Sequence, residues 1–352
     1  PQEPSYFFVE LSDYVDDNAQ TIKTTEYEDS SRTIIKKVDL QEDIIRDAKD
    51  NITSYLLTSQ KYKTGVLEDT SYFKVELSDY TGDDASTIKT TEYEEAARTT
   101  TKKIDLQEDI TRDSSDNITS YSLTTTDYKA GVAQEPEYFF VELSDYVGDD
   151  AQTIKTTEFD DAARTVIVKV DLQEDITRDS SGNITSYNLT TTKYEDAIAQ
   201  EPSYFFVELS DFDGENASTI KTTEFDDSSR TITVKVDLQE EITRDADENI
   251  ISYKLTSTKY ESGVPQEPSY FFVELSDYVD DNATTIKTTE YEDSSRTLRI
   301  KEDLQEEIER DASDNIISYN LTTTKFDKIT AGEDASYYAV ALDDYVGDNA
   351  ET

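Results

Sequence analysis

Apolar and polar residues alternate along short segments of the chain, and the same alternation returns every 66 residues. A seven-residue phrase, Phe-Val-Glu-Leu-Ser-Asp-Tyr, marks each return at 8–14, 140–146 and 272–278. The second copy has Lys74 at the first position of this phrase, and the fourth has Phe212 at the last. Five copies follow one another without insertion, and internal repetition of this kind decides the fold before any other feature.

The copies have clear boundaries. They run over 1–66, 67–132, 133–198, 199–264 and 265–330, and 331–352 is the start of a sixth. The phrase of the sixth copy is shifted by one residue, so its junction is atypical. The chain begins and stops in mid-motif, which is typical of an internal fragment of a longer protein.

The first predicted strand of a copy is Tyr6–Leu11. Position 8 of the copy is Lys74 in the second copy, and position 10 is Glu in all five copies. The face of the strand that carries these two positions is therefore expected to meet water. Phe7, Val9 and Leu11 then point inward, at the period of two of a half-buried strand.

The same reasoning gives three more strands in each copy. They are Thr21–Tyr27, a strand from Arg32 to beyond Leu40, and Ile52–Tyr62, with Asp47–Asn51 as a hairpin loop. Residues 39–47 could also form a short helix, but the β-branched and aromatic flanks favour a strand. We expect Ile22, Leu40, Tyr55 and Leu57 to join the inward residues of the first strand.

These elements predict an all-β fold. We expect a tandem array of small antiparallel β-sandwich (Ig-like) repeats that forms an elongated rod, with stiff proline-containing links such as the one at Pro136. A copy of 66 residues is near the lower size limit for independent folding. Either neighbouring copies share core, as in repeat arrays, or cations bridge the acidic loops.

Charge narrows the function classes. The chain has 80 acidic and 33 basic residues, a net charge of −47. Such a surface repels nucleic-acid phosphates and anionic lipids, and no apolar run is long enough to span a membrane. It attracts cations and keeps a long polymer soluble. There is no Cys or His, so the usual zinc ligands are missing, whereas oxygen ligands for Ca²⁺ are abundant.

Pairs of acidic residues at the first turn of each copy are the candidate calcium ligands. Loop carboxylates and backbone carbonyls can supply the six to eight oxygens that Ca²⁺ takes. No copy contains an EF-hand pattern, and a solvated acidic face is the competing interpretation. The candidates are Asp13, Asp17, Asp79, Asp83, Asp145, Asp149, Asp211, Glu215, Asp277 and Asp281.

Other chemistry has less support in the sequence. A Lys–Asn amide bond between Lys23 or Lys37 and Asn51 would require the two side chains to lie close together, and nothing in the sequence pattern predicts that they do. Tyr6 and Phe8 form a candidate contact surface. A Ser–His–Asp triad is excluded without His, and carboxylates occur everywhere, so no pair marks a glycosidase. We expect no enzyme.

In architecture the chain resembles the tandem-repeat β-sandwich stalks of large bacterial extracellular adhesins and surface filament proteins. The pattern that carries the likeness is short β repeats, Asp and Thr richness, acidic charge and no Cys. The resemblance implies secretion to the cell surface, a spacer or adhesive role, and Ca²⁺ rigidification. Its partners would be neighbouring copies of itself or other surface and matrix components, with no nucleic acid and no membrane insertion.

Two other functions remain open from the sequence. One is a multivalent array in which each copy contributes one site for a glycan, mineral or ice surface, so that avidity adds up. The other is an acidic cytoplasmic protein of a halophile, against which the tandem copies argue.

Overall fold

The computed structural model describes the backbone of the chain except at 1–5, 28, 196, 215, 246–247, 280–281, 311–315, 328–329, 343–344, 347–348 and 351–352. Side chains are in addition not described at 63, 68, 327, 330–334 and 345–350. The chain divides into two compact units, Pro1–Val170 and Asp171–Thr352.

All regular elements in the described residues are β-strands, which confirms the all-β prediction. The first copy contains β1 (Tyr6–Val15), β2 (Asn18–Tyr27), β3 (Ile35–Arg46) and β4 (Ile52–Lys63). The second contains β5 (Val66–Thr81), β6 (Asp84–Tyr93), β7 (Thr101–Arg112) and β8 (Ile118–Lys129). The third contains β9 (Val132–Ala133), β10 (Glu137–Ser144), β11 (Thr153–Phe159), β12 (Ile167–Arg178) and β13 (Ile184–Glu195).

The last copies repeat this order. The fourth contains β14 (Ile198–Ala199), β15 (Ser203–Asp213), β16 (Asn216–Phe225), β17 (Thr233–Arg244) and β18 (Ile250–Glu261). The fifth contains β19 (Val264–Pro265), β20 (Ser269–Val279), β21 (Asn282–Tyr291), β22 (Arg299–Arg310) and β23 (Ile316–Asp327). After it come β24 (Thr330–Ala341), β25 (Tyr345–Val346) and β26 (Asn349–Ala350). No helix of the described part is long and apolar enough to cross a membrane.

The strands pair as an antiparallel meander within each unit. In the first unit the ladder runs β1, β2, β3, β4, β5, β6, β7, β8, β10 and β11. In the second it runs β13, β15, β16, β17, β18, β20, β21, β22, β23 and β24. The two-residue strands β9, β14 and β19 extend hairpins after β8, β13 and β18.

The Ig-like sandwich predicted for each copy is not confirmed. A sandwich needs two sheets that face each other, whereas the described strands of each unit pair in chain order within one open ladder. The reason lies in the links: the last strand of a copy pairs directly with the first strand of the next, as β4 does with β5. The copies therefore merge through backbone hydrogen bonds instead of closing on themselves.

Local chemistry explains where the chain reverses. Between β4 and β5, Thr64 and Gly65 both have positive φ, 49° and 79°. Two consecutive residues of this conformation form the tight turn whose twist suits a hairpin. Earlier in the copy, Asp47 accepts hydrogen bonds from the backbone of Lys49 and Asn51, so its side chain closes the hairpin between β3 and β4.

Apolar side chains lie on both faces of the ladder. Leu11 is opposite Ile22, which is opposite Gln41, so these three share a face. Leu40 is opposite Lys23 and lies on the other face, which corrects the prediction that Leu40 and Ile22 point the same way. With apolar residues divided between two faces, most side chains are half-buried rather than enclosed.

The predicted core is confirmed at one position of the interior copies, and it is wrong for the opening strand of the first copy. Phe7, Val9 and Leu11 are about half exposed, since β1 pairs only with β2 among the described strands. Val75, Val141, Val207 and Val273, which correspond to Val9, are each 6% exposed. The most buried positions, Ile44 and Ile176, were not among the predicted core residues.

Segment 39–47 is strand as far as Arg46, as the flanking residues predicted, but an irregular one. β3 carries register shifts around Glu26 and again between Glu42 and Arg46. Asp43 has φ 52°, the left-handed conformation of a bulge residue. The bulge breaks the simple period of two, which is why the sequence of this segment could also be interpreted as helical.

Candidate functional site: the junction between copies

The most distinctive chemistry of the molecule lies where one copy pairs with the next. At the first junction Tyr55 is opposite Val75 and Leu57 is opposite Phe73. These four residues share one face, so the apolar side chains of β4 cover those of β5. The strand that opens a copy is therefore buried by its predecessor.

An arginine clamps this junction from the loop after β6. Arg98 Nε donates to the carbonyl of Phe73 at 3.3 Å, and its Nη2 donates to the carbonyl of Leu57 at 3.1 Å and to Thr58 Oγ1 at 2.9 Å. The guanidinium also lies 5.6 Å from the ring centroid of Tyr72, within cation–π range. One side chain of the second copy thus holds both strands of the junction.

The clamp recurs at the next three junctions. Arg164 Nη2 lies 2.9 Å from Thr124 Oγ1, Arg230 Nη2 3.0 Å from Thr190 Oγ1, and Arg296 Nη2 3.1 Å from Thr256 Oγ1. Each guanidinium also lies over the tyrosine that opens its own copy, Tyr138, Tyr204 or Tyr270. Tyr6, predicted as a contact residue, is the first-copy equivalent of these tyrosines.

Sequence reasoning missed the arginine. A signal was present, because the same arginine stands in every copy after two acidic residues and a pair of serines or alanines. The residue has positive φ in each copy, for example 52° at Arg98, and this is uncommon for a bulky side chain. The loop conformation therefore serves to direct the guanidinium across the junction.

A carboxylate fixes the arginine loop. Asp29 Oδ1 accepts from the backbone nitrogens of Thr33 and Ile34, both at 2.9 Å, and the Ser31 hydroxyl donates to Oδ2. These hydrogen bonds, that of Ser31 first, hold the pKa of Asp29 far below its usual range. In the fifth copy the equivalent bonds lower the pKa of Asp293 to about 2. The loop is thus built around an ionised acid.

A tyrosine hydroxyl makes a second cross-junction bond. Tyr80, Tyr146 and Tyr278 donate to the carbonyls of Ile52, Ile118 and Ile250 of the preceding copy. Partial burial raises the pKa of each of these phenols. The fourth copy has Phe212 at this position, so its junction is built without the hydroxyl.

Grooves lie beside two junctions of the first unit. One, of about 550 Å³, lies between the first and second copies. Its charged lining residues are Arg46, Lys49, Asp50, Asp83, Asp84 and Arg112. The other, of about 540 Å³, lies between the second and third copies and is lined by Asp113, Asn117, Asp145, Tyr146 and Asp149, among others. Both are open and polar, and they bring loop residues of adjacent copies together.

The predicted calcium ligands occupy two kinds of position. Asp13, Asp79, Asp145, Asp211 and Asp277 are exposed residues with a left-handed backbone, all with φ between 53° and 56°. The serine before each donates to its carboxylate at 2.9–3.2 Å. Asp is one of the few residues that adopt this conformation readily, so backbone geometry accounts for its recurrence.

The second acid of each predicted pair lies in the turn. Asp17, Asp83 and Asp149 are exposed there, while Glu215 and Asp281 lie outside the described residues. Asp145 and Asp149 line the same groove, whereas the other groove contains Asp83 without Asp79. Within the described part of the chain, no three acidic side chains converge closely enough to hold a metal ion. The calcium site stays a prediction.

The lysines and the asparagine proposed for a Lys–Asn amide bond do not contact each other through the groups that would react. Lys23 Nζ lies 2.9 Å from Glu10, and Lys37 Nζ 3.1 Å from Asp39. Asn51 instead donates its amide to Asp47 at 3.1 Å. Each group has a different partner, so the geometry gives the amide bond no support.

Comparison with known proteins yields little. No family model matches the chain, and no curated protein does. A solved structure described as "Crystal Structure of TcdB2-TccC3 without hypervariable C-terminal region" aligns over 93% of this chain at 10% identity, with a TM-score of 0.16. The chain spans 22% of that protein's length. A likeness this weak carries no argument about function.

Proposed function

We propose that the chain is a non-catalytic structural segment, a stalk or filament region of an extracellular or cell-surface protein that spaces or attaches other parts. The rod-like form predicted from the repeats belongs to this proposal. Its partners would be other copies of itself or components of the surface and matrix.

One observation carries the proposal: consecutive copies are joined by β-pairing together with the arginine clamp. At the junction of β4 and β5 the backbone ladder runs from Ser54 opposite Glu76 to Lys63 opposite Val66. In a flexible tether the backbone N–H and C=O groups of this segment would be hydrogen-bonded to water instead. A continuous ladder instead transmits force and orientation from copy to copy, which is what a spacer needs.

The architecture can be tested on the whole chain by small-angle scattering and by electron microscopy. The expected result is a particle much longer than wide, with a maximum dimension that grows with the number of copies. A compact particle whose size follows the cube root of the mass would overturn the stalk. Antibody labelling of intact source cells tests location: labelling without permeabilisation is expected, and signal only after lysis would remove the cell-surface assignment.

The alternative function, a multivalent array for a glycan, mineral or ice surface, draws on the grooves beside the junctions. Amide and carboxylate groups line both grooves, and guanidinium groups also line the one between the first and second copies. A glycan array separates the two functions: dose-dependent binding that weakens when copies are removed favours the binding array, and no binding leaves the stalk.

Calcium is the cation that this proposal includes, on the strength of the acidic pairs around Asp145 and Asp149. A stabilising ion would raise the melting midpoint by mass action. The measurement compares chelator, millimolar Ca²⁺ and NaCl of matched ionic strength. The expected midpoint is highest in Ca²⁺. Equal midpoints in Ca²⁺ and matched NaCl would show that the acids only solubilise the chain, and the stalk would stand without an ion.

A further inference from the structure

One position changes its chemistry from copy to copy in a way that folding does not require. In the first copy Glu26 is opposite Lys37 and Tyr27 is opposite Ile35, which leaves Lys36 as the extra residue of a β-bulge. Lys36 Nζ lies 3.1 Å from Glu26. The second copy repeats this arrangement with Lys102 and Glu92, also at 3.1 Å.

Later copies replace this lysine with an aliphatic residue. The fourth copy has Val234 and the fifth Ile300 at the bulge, and they are 36% and 42% exposed. Two residues earlier, Ile232 and Leu298 are about half exposed. An aliphatic side chain at the bulge is not required for strand pairing, because the same bulge forms with lysine in the first two copies.

The replacement also leaves an acid unpaired. Glu224 is opposite Lys235, but Lys235 Nζ lies 2.7 Å from Asp237. Glu290 is opposite Lys301, whose Nζ lies 2.5 Å from Asp303. Among the described residues no cation forms an ion pair with either glutamate.

Each of these copies therefore has what we call a bulge patch. It consists of two exposed aliphatic side chains beside a half-buried, unpaired carboxylate: Ile232, Val234 and Glu224 in the fourth copy, and Leu298, Ile300 and Glu290 in the fifth. The third copy has Val166 and Val168, but there Lys169 pairs with Glu158 at 3.3 Å. The patch is thus complete only in the last two copies.

We infer that the bulge patches are docking sites for a basic segment of a partner protein in which cationic side chains are interspersed with aliphatic ones. The unpaired carboxylate fits an ammonium or guanidinium group, and the aliphatic pair fits an apolar side chain next to it. A second copy of this chain is a poor occupant of these acidic patches, because its charge of −47 offers them few cations, and any self-association of the stalk would use other surfaces. Charge complementarity therefore selects a cationic partner, and the exposed aliphatic pair selects an amphipathic one.

The test uses the full chain and three short synthetic peptides, in which lysine alternates with valine, lysine with serine, and glutamate with valine. Titration calorimetry at physiological salt is expected to show tight binding only for the lysine–valine peptide, with one peptide per patch. The double variant Val234→Lys, Ile300→Lys restores the residue of the first two copies. It should keep its melting midpoint and bind about tenfold more weakly, because it removes the aliphatic contact and neutralises the glutamate.

The reverse variant, Lys36→Val with Thr100→Ile and Lys102→Val, provides an independent readout; Thr100 is changed as well because the other four copies have an aliphatic residue at that position. It should create two further patches and raise the number of peptides bound per chain. Equal affinity for the lysine–serine peptide would mean that net charge alone attracts cations, and the inference would be wrong. Unchanged binding in both the double variant and the reverse variant would overturn it as well.

Discussion

The first copy and the interior copies have nearly the same sequence but a different burial of their opening strand. Val9 is 53% exposed, whereas its four equivalents are 6% exposed. Arg32 is exposed, while Arg98 and its later equivalents are half-buried against the preceding copy. The intrinsic preferences of the residues are the same, so the preceding copy is what differs.

This comparison shows that the core of a copy is completed by side chains of the preceding copy. Within a copy the strands supply a ladder and two half-covered faces, and the closing contacts come from the neighbour through β-pairing, the arginine clamp and the tyrosine hydroxyl. Stability is then expected to follow a sum of weak intrinsic terms and strong nearest-neighbour terms, as in other repeat proteins.

The largest expected effect on stability distinguishes the buried opening strand of an interior copy from the exposed opening strand of the first copy. Val207→Asp places a carboxylate in a buried junction without a partner and should lower the free energy of unfolding by about 3 kcal/mol. Val9→Asp, the matched change on the exposed strand, should stay within about 0.5 kcal/mol. Urea unfolding of both variants, followed by circular dichroism, measures the difference. Similar losses would show that the first copy is buried in solution as the others are.

The arginine clamp gives the next largest effect. Arg98→Ala removes three hydrogen bonds to the junction and the contact with Tyr72, and should cost about 2 kcal/mol. Arg32→Ala serves as the control, with no measurable change expected. Hydrogen exchange of the β4 and β5 amides locates the loss. If Arg98→Ala leaves their protection unchanged, the guanidinium is not what holds the junction.

The sequence predicted much of this, and the part that it missed has a physical reason. Strand positions follow from local alternation, so the strands near Tyr6, Thr21 and Ile52 and the hairpin at 47–51 were predicted to within a few residues. Which strand pairs across a copy boundary is a non-local matter. Phe7 and Phe8 are apolar on opposite faces, and such a pattern fits a two-sided ladder as well as a sandwich.

The candidate site shows the same division. The acidic turns were evident, but the junction itself was not, because it needs the register between two copies. The role of Arg98 also depends on a loop with positive φ, which alternation does not encode. Asp13 was predicted as a ligand for its charge, although its left-handed backbone conformation is sufficient reason for Asp at that position.

A smaller effect compares two interior junctions that differ by one oxygen atom. Tyr146→Phe removes the hydroxyl that donates to the Ile118 carbonyl and should cost about 1 kcal/mol. Phe212→Tyr should stabilise the junction of the third and fourth copies by a similar amount, since the equivalent Ile184 carbonyl becomes a partner. Thermal unfolding of both variants tests the pair. Opposite shifts of the midpoint are expected, and shifts of the same sign would contradict a bonding role for the hydroxyl.

The smallest effect concerns a part of the copy that should not depend on the neighbour. The carboxylates of Asp29 and Asp293 accept bonds only from their own loops, so their pKa values are lowered in the first copy as well as in the fifth. A carboxyl whose pKa is lower in the folded state stabilises the fold above its unfolded pKa, and this contribution is lost as the pH falls through the folded value. For Asp293 that window runs from the ordinary 3.8 down to about 2.

Carbon-13 NMR of the carboxyl groups, recorded as a pH titration, should place both residues well below the bulk of the aspartates. Protonation of the many other acids in the same range relieves repulsion and acts in the opposite direction. Stability should therefore rise from neutral to mildly acidic pH and fall only when the loop carboxylates protonate. Asp293→Asn should weaken that acid-side fall without moving the junction amides in hydrogen exchange. If Asp29 titrates normally while Asp293 does not, the arginine loop also depends on a preceding copy, and the division between self-contained loops and shared junctions fails.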